Sequence, residues 1–239
     1  GIEAHPDHKD LARLARALSA EDTAGALIAL LDESNLAPTD KALRKYAILR
    51  GYRRLDEASQ VLRSEYARNP SDSRVLEFSF LEAIERRDVD AANRFAAKAQ
   101  ELDADGAEGM TYRARVFIMQ DRMSEAAATL RQATLRNVVS PEAWRLLARV
   151  QRQIGRTPDA LRAYEEALRL RPNDRETLRE YIAFLSEEDA SRALRVARDN
   201  ERFAANDPAF EELLLRLEGR VGDKPRAIEM RTRMLERDP

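Results

Sequence analysis

The sequence predicts an all-α solenoid of about seven stacked helical hairpins, and three observations carry that expectation. Ala24, Ala58, Ala92, Ala126, Ala160, Ala193 and Ala227 recur with five gaps of 34 residues and one of 33. A period of about 34 residues marks a unit of two helices and a turn, copied end to end. Charged residues make up 35% of the chain and apolar ones 44%, which suits amphipathic helices with wide wet faces. Only eight glycines and nine prolines occur in 239 residues, too few for the many turns of an all-β fold.

Counting in both directions gives units 5–38, 39–72, 73–106, 107–140, 141–174, 175–207 and 208–239, a single array from 5 to 239. Unit 141–174 states the pattern most fully. With Pro141 as position 1, Trp144 falls at 4, Leu147 at 7, Ala148 at 8, Gly155 at 15, Ala160 at 20, Tyr164 at 24, Ala167 at 27 and Pro172 at 32. Ala148 and Ala160 are small, so the two helices can approach closely. Trp144 is large and is expected to fill the space between neighbouring helices. Gly155 sits where the chain reverses, and Pro172 stops the second helix by denying it a backbone donor.

The remaining units keep the phase while varying the residues. Position 7 holds Lys45, Ser79 and Arg113 in units two to four, position 27 holds Glu65 and Asn200, and position 24 holds Arg231. Packing at these polar insertions has to differ locally. Pro70, Pro172 and Pro239 share position 32. Unit 175–207 is one residue short, and the deletion fits the turn near Glu187-Glu188-Asp189, because Ala193 resumes the phase and turns tolerate such changes. In the last unit Gly222 and Ala227 repeat the pair at positions 15 and 20.

On these residues the chain resembles the tetratricopeptide repeat (TPR) family, with Gln151 at position 11 where the family prefers tyrosine. The resemblance covers nearly the whole chain. It implies a right-handed superhelical solenoid whose first helices line a concave groove, with positions 2, 5, 9, 12 and 13 of each unit pointing into it. Those positions hold twelve basic and eight acidic residues, in a chain whose net charge is −2. Asp40, Glu108, Glu142 and Glu176 all stand at position 2, in the first helical turn, where a carboxylate offsets the positive end of the helix dipole.

The C-terminal half shows a stripe of Arg115, Arg145, Arg149, Arg152, Arg179, Arg216 and Arg220. Arg145, Arg149 and Arg152 share one helical face, and the arginine fork pairs with carboxylate or phosphate. These seven are the candidate partner-binding residues; the alternative is solvated arginines of the kind an arginine-rich helical chain carries everywhere. Exchanging Arg145, Arg149 and Arg152 for glutamate is expected to abolish partner binding and leave the array folded. The family's chaperone-binding carboxylate clamp needs lysine at 5, asparagine at 9 and asparagine at 6 of the next unit. Unit one has Lys9 but Arg13, and unit two has Arg44, so the clamp is not expected.

Long, degenerate, Arg/Ala-rich arrays are also similar to the periplasmic TPR scaffolds of bacterial exopolysaccharide export, of the kind found in Pel polysaccharide exporters. That resemblance implies a periplasmic scaffold in biofilm export, beside an outer-membrane porin, whose partner is a polysaccharide deacetylase/hydrolase. The alternative is a cytoplasmic adaptor that binds an acidic protein or peptide in its groove.

The net charge offers no bulk electrostatic case for nucleic acid or an anionic membrane. No apolar run reaches the roughly 18 residues of a membrane span. The opening Gly1-Ile2-Glu3-Ala4-His5-Pro6-Asp7 lacks a signal peptide's basic start and apolar stretch. Without an initiator methionine, Gly1 reads as a cloning scar or processing remnant. No additional polar helix caps the last unit, so the segment is expected to come from a longer array; the rival reading is a complete protein that dimerises through its ends.

Cysteine is absent, which excludes disulfides and thiolate metal sites. The two histidines, His5 and His8, have HxxH spacing without further ligands and read as exposed residues entering the first helix. No phosphate-cradling glycine loop and no nucleophile elbow occurs, and the carboxylates fall at helix starts and wet faces. The expectation is a binding scaffold that is not an enzyme and takes no cofactor or metal. Carbohydrate binding is disfavoured because the groove positions hold no aromatic platform, and RNA binding by the acidic balance.

Overall fold

The computed structural model describes the backbone of residues 6–104, 106–136 and 140–237, and the side chains of 11–104, 106–136, 140–203 and 207–236. Among the described residues there are fourteen α-helices, one 3₁₀ helix and no strand. They run as hairpins: α1 (Pro6–Leu18) with α2 (Thr23–Glu33), α3 (Pro38–Gly51) with α4 (Leu55–Arg68), and α5 (Ser73–Glu85) with α6 (Val89–Leu102). Next come α7 (Ala107–Met119) with α8 (Met123–Leu135) and α9 (Pro141–Gln153) with α10 (Thr157–Leu170). Last are α11 (Arg175–Glu188) with α12 (Ala190–Asp199), the 3₁₀ helix Glu201–Asn206, and α13 (Pro208–Val221) with α14 (Lys224–Arg237).

The chain divides into two compact units, 1–104 and 105–239. In the first, each of α1 to α5 packs on the next helix in sequence. In the second, α7 to α13 do the same, the 3₁₀ helix lies against α13, and the first helices of successive hairpins also meet, α7 on α9 and α11 on α13. Contacts between a hairpin and its neighbour are what a repeat fold consists of. The first unit has a core of Tyr46, Leu49, Ala58, Leu62 and Val75. The second has a larger one running from Ala107 to Met230.

All seven phase-marking alanines are buried, at 0 to 8% exposure. Each sits on the second helix of its hairpin, where a methyl group lets the neighbouring backbone come close. Position 24 carries the opposite demand: Tyr164 is among the largest fully buried side chains, with its ring 6.0 Å from that of Tyr181 and 6.3 Å from that of Phe184.

The turns within hairpins share one geometry. Position 15 is left-handed in four successive units: Arg53 at φ 59°, Arg87 at 56°, Asp121 at 60° and Gly155 at 75°. The following N–H reaches back five residues to close the helix: Arg54 to the Leu49 carbonyl at 2.8 Å, Asp88 to Ala83 at 2.9 Å, Arg122 to Phe117 at 2.8 Å and Arg156 to Gln151 at 2.8 Å. This is the Schellman closure, and it favours glycine because a side chain in the left-handed region meets its own backbone. Of these four units only the fifth uses glycine there. In the sixth unit α11 and α12 are separated by Asp189 alone, which caps α12 by accepting from the Arg192 N–H. Gly222 is not left-handed, at φ −105°. It is required for space instead: a Cβ there would collide with the Glu218 carboxylate and lie 2.8 Å from Leu194 Cδ2.

Helix starts are capped by short acidic or hydroxyl side chains, Asp22, Asp72, Asp88, Ser140, Asp174, Asp189 and Asp207, each accepting from a backbone N–H of the first turn. Helix ends precede the prolines as expected: α4 stops at Arg68 before Pro70, and α10 at Leu170 before Pro172. Pro239, His5 and the His8 side chain lie outside the described residues.

The polar insertions are each matched by a partner or by solvent. Buried Ser79 donates to the Val75 carbonyl at 2.8 Å. Buried Glu65 accepts through Oε1 from Thr39 Oγ1 and Asn69 Nδ2, both at 2.7 Å, while its Oε2 has no hydrogen bond and only the Arg68 guanidinium at 3.5 Å. Lys45 pairs with Asp32 at 2.6 Å, and the Arg113 guanidinium stacks over Phe117 at 5.6 Å. Asn200 at position 27 ends α12 early, donating to the Val196 carbonyl at 2.9 Å, and the 3₁₀ helix then carries the chain on. Arg231 is simply exposed. Trp144 packs half-buried against the core of the second unit, and its remaining surface lines an open cleft between α8 and α10.

Candidate functional site

All seven candidate arginines fall in the second compact unit, on the first helices of its hairpins: Arg115 on α7, Arg145, Arg149 and Arg152 on α9, Arg179 on α11, and Arg216 and Arg220 on α13. The 3.6-residue period places Arg145, Arg149 and Arg152 along one face of α9. Most of them face carboxylates of the neighbouring helix. Arg115 pairs with Glu142. Arg145 pairs with Glu142 at 2.9 Å and with Glu176 at 2.5 Å, and has Glu180 at 4.0 Å. Arg152 pairs with Glu187 at 2.5 Å and lies over the Phe184 ring at 5.0 Å. Arg179 donates to Asp207, the cap of α13, at 3.0 Å. Arg220 donates to the Ser186 carbonyl at 2.9 Å, and Arg216 has the looser partner Glu212 on its own helix at 3.8 Å.

The acids at position 2 therefore do more than offset helix dipoles. Glu142 and Glu176 are rungs between helices, tying α7 to α9 and α9 to α11. The first unit repeats the device: Arg74 pairs with Asp40 at 2.6 Å, and Arg50 with Glu85 at 2.7 Å. Arg50–Glu85 and Arg152–Glu187 join position 12 to position 13 of the next unit, 35 residues on. That spacing is one repeat plus one residue, so pairing opposite charges across the period finds it in the sequence.

The electrostatics separate two arginines that sequence reasoning treats alike. Arg145 is 11% exposed. Burial pulls its pKa down, and Glu142, Glu176 and Glu180 more than restore it, so the net shift is upward. It is a buried cation held by three carboxylates. Arg149, one turn later, is exposed and has no ion pair or hydrogen bond among the described residues. Its charge is felt by half-buried Glu180, whose pKa is raised by burial and pulled back by Arg149 and Arg145. The stripe is thus a fixed ladder of paired charges with one unpaired guanidinium in its middle. Such a face can accept a carboxylate by forked hydrogen bonding; it holds no nucleophile–base pair.

Triple replacement by glutamate does not isolate binding in this geometry. A glutamate at 145 would stand buried among three carboxylates and weaken the fold itself.

A second feature, absent from the sequence expectation, lies on the other side of α9. An open cleft of about 600 Å³ has α9 as its floor and α8 and α10 as walls. A cleft of about 670 Å³ occupies the equivalent place over α3 in the first unit. Positions 4, 7 and 11 line both: Ala42, Lys45 and Leu49 in one, Trp144, Leu147 and Gln151 in the other. In the first, Asp32 is engaged by Lys45 at 2.6 Å and by Lys41 through its carbonyl at 2.7 Å. In the second, Gln151 is 5% exposed and its Oε1 has no hydrogen-bond partner. Gln151, the departure from pattern at position 11, is the sequence signal for this cleft.

Among the described residues no group of three or more His, Cys, Asp or Glu side chains could hold a metal ion, and no helix is long and apolar enough to cross a membrane.

Tetratricopeptide repeat models match residues 83–150 and 141–184. Solved structures are similar in fold at low identity. Pseudomonas aeruginosa PilF superposes with a TM-score of 0.61 at 18% identity, covering 84% of this chain and 91% of that one. TTC0263, a thermophilic TPR protein of Thermus thermophilus, gives 0.61 at 16% identity over 75% of this chain and 97% of that one. YrrB, described as a TPR protein with an unusual peptide-binding site, gives 0.51 at 18% identity over 71% and 88%. No curated protein sequence gives a significant match.

Proposed function

We propose that this array of tetratricopeptide repeats is a protein-binding scaffold, and that it presents the arginine face of α7, α9, α11 and α13 to an extended acidic segment of a partner. The observation that carries the proposal is Arg149: an exposed, unpaired guanidinium on a helix whose flanking arginines are already held in place by Glu142, Glu176 and Glu187. An arriving carboxylate finds a fork whose surroundings need no reorganisation, which lowers the ordering cost of binding. The TPR models over 83–184 support a protein or peptide ligand, and peptide binding is what the name of YrrB states of that protein.

The test uses a fluorescein-labelled hexaglutamate peptide and fluorescence anisotropy. Binding should weaken as salt rises, and Arg149→Glu should weaken it about tenfold, the order of one charge-assisted hydrogen-bonded contact. Equal affinity for the native and Arg149→Glu chains would remove the proposal.

A narrower proposal assigns the scaffold to the periplasm, where it would recruit a polysaccharide deacetylase/hydrolase for exopolysaccharide export. What supports it is the character of the chain, a long, degenerate array rich in arginine and alanine. Co-purification of this chain with such an enzyme, lost in Arg149→Glu, is the expected result; an adaptor for acidic cytoplasmic proteins would show no such capture.

A further inference from the structure

The cleft over α9 combines an apolar floor, an exposed apolar wall and one unsatisfied polar group. Leu147 is buried and Trp144 half-buried on the floor. Leu135, at the end of α8, is 82% exposed. A leucine so exposed beside a tryptophan is an unfavourable surface unless something covers it. The rim carries no unmet acid. Asp159 is held by Arg162 at 2.5 Å, Glu165 by Arg192 at 2.5 Å and by the Tyr181 hydroxyl at 2.8 Å, and Glu166 by Arg169 at 2.8 Å. What remains unmatched is Gln151 Oε1, a buried acceptor with no donor. A buried amide oxygen without a partner is unfavourable, so it marks a place where a donor is expected.

We propose that this cleft is a docking pocket for a tyrosine side chain presented by a partner protein. A phenol has the required features: a flat apolar ring to lie on Trp144 and against Leu135, and a hydroxyl at its tip to donate to Gln151 Oε1. A cationic side chain is not favoured, because every rim carboxylate is already paired, and a carboxylate, though it could reach the exposed Arg131 on the rim, would leave Gln151 Oε1 without a donor. Phenylalanine would leave the acceptor unsatisfied, and sites that hydrogen-bond a hydroxyl reject the analogue lacking it. Gln151 lines the cleft, and its amide has to turn for the buried oxygen to meet the hydroxyl. The pocket is independent of the arginine face, which lies on other residues.

Trp144 is the single tryptophan of the chain, so its indole N–H resonance is unambiguous. The experiment titrates the ¹⁵N-labelled chain with p-cresol, the tyrosine side-chain analogue, and with toluene, which lacks the hydroxyl. Saturable shifts of the Trp144 indole and the Gln151 side-chain amide are expected with p-cresol, and at least fivefold weaker binding with toluene. Gln151→Tyr fills the cleft from within and should abolish the Trp144 shift, with circular dichroism confirming the fold. Gln151→Leu keeps the shape without the acceptor and should make the two probes equal. Arg149→Glu should leave p-cresol binding unchanged, which separates this site from the acidic-peptide face. The inference is overturned if p-cresol produces no saturable shift at these two resonances, if toluene binds the native chain equally well, or if a folded Gln151→Tyr still binds.

Discussion

At the scale of single residues, the left-handed turn position and one buried acid carry the clearest consequences. Arg53, Arg87 and Asp121 adopt φ values of 59°, 56° and 60° that glycine tolerates without penalty. Replacing Arg53 or Arg87 with glycine should therefore raise stability, by about 0.5–1 kcal/mol each. Asp121→Gly should give less, because aspartate visits this region more readily. Urea midpoints measure all three, and a lower midpoint for Arg53→Gly would contradict the strain argument. Glu218 has no exposed side-chain area and accepts from both ends of the Arg198 guanidinium at 2.8 and 2.7 Å and from the Asp223 N–H at 3.0 Å. Arg198, foremost, holds its pKa below the ordinary glutamate value, against burial. A depressed folded pKa gives stability that is complete above the unfolded value, about 4.3, and is lost as pH falls from there through the folded value. Glu218→Gln should flatten the acid limb of the stability profile and lower stability at pH 7 by about 2 kcal/mol. An unchanged acid limb would place the acid sensitivity elsewhere. Both residues show the limit of pattern reading: the period finds the turn at Gly155, while the burial of Glu218, on a first helix, depends on which arginines a neighbouring hairpin brings to it.

At the scale of elements, the first helices of the second unit are joined by charge rungs, and their residues are not interchangeable. Arg145 and Arg149 look equivalent in the sequence, one turn apart on α9. The structure gives one three carboxylates in pairing reach and the other no ion pair, only the through-space charge of Glu180. Arg145→Glu should lower stability by about 2 kcal/mol or more, since it turns attractions into buried repulsions. Arg149→Glu should change it by no more than about 0.5 kcal/mol, as an exposed substitution does. Thermal unfolding followed by circular dichroism distinguishes them, and equal losses would refute the ladder. The arginine stripe is legible from the 34-residue phase, and so are the acids at position 2. Their pairing is hidden from any reading that takes one unit at a time, because the rungs run from one unit to the next.

At the scale of the whole molecule, each compact unit holds its own apolar cluster, and a hairpin is stabilised by its neighbours alone. Leu62→Ala should open a cavity costing about 2–5 kcal/mol and strip hydrogen-exchange protection from α3, α4 and α5. Amides of α9 to α11 should keep theirs. Uniform loss of protection across both units would show a single cooperative core instead.

The seven buried alanines, the helix stops before Pro70 and Pro172, and the sequence of hairpins were decided by the sequence itself, because small side chains and chain-stopping residues act locally and the period repeats them. Which arginine is paired, which cap is buried and where a cleft stays open were decided only by tertiary structure. Those properties belong to the distance between one hairpin and the next, which brings Glu176 to Arg145 and leaves Gln151 with no donor.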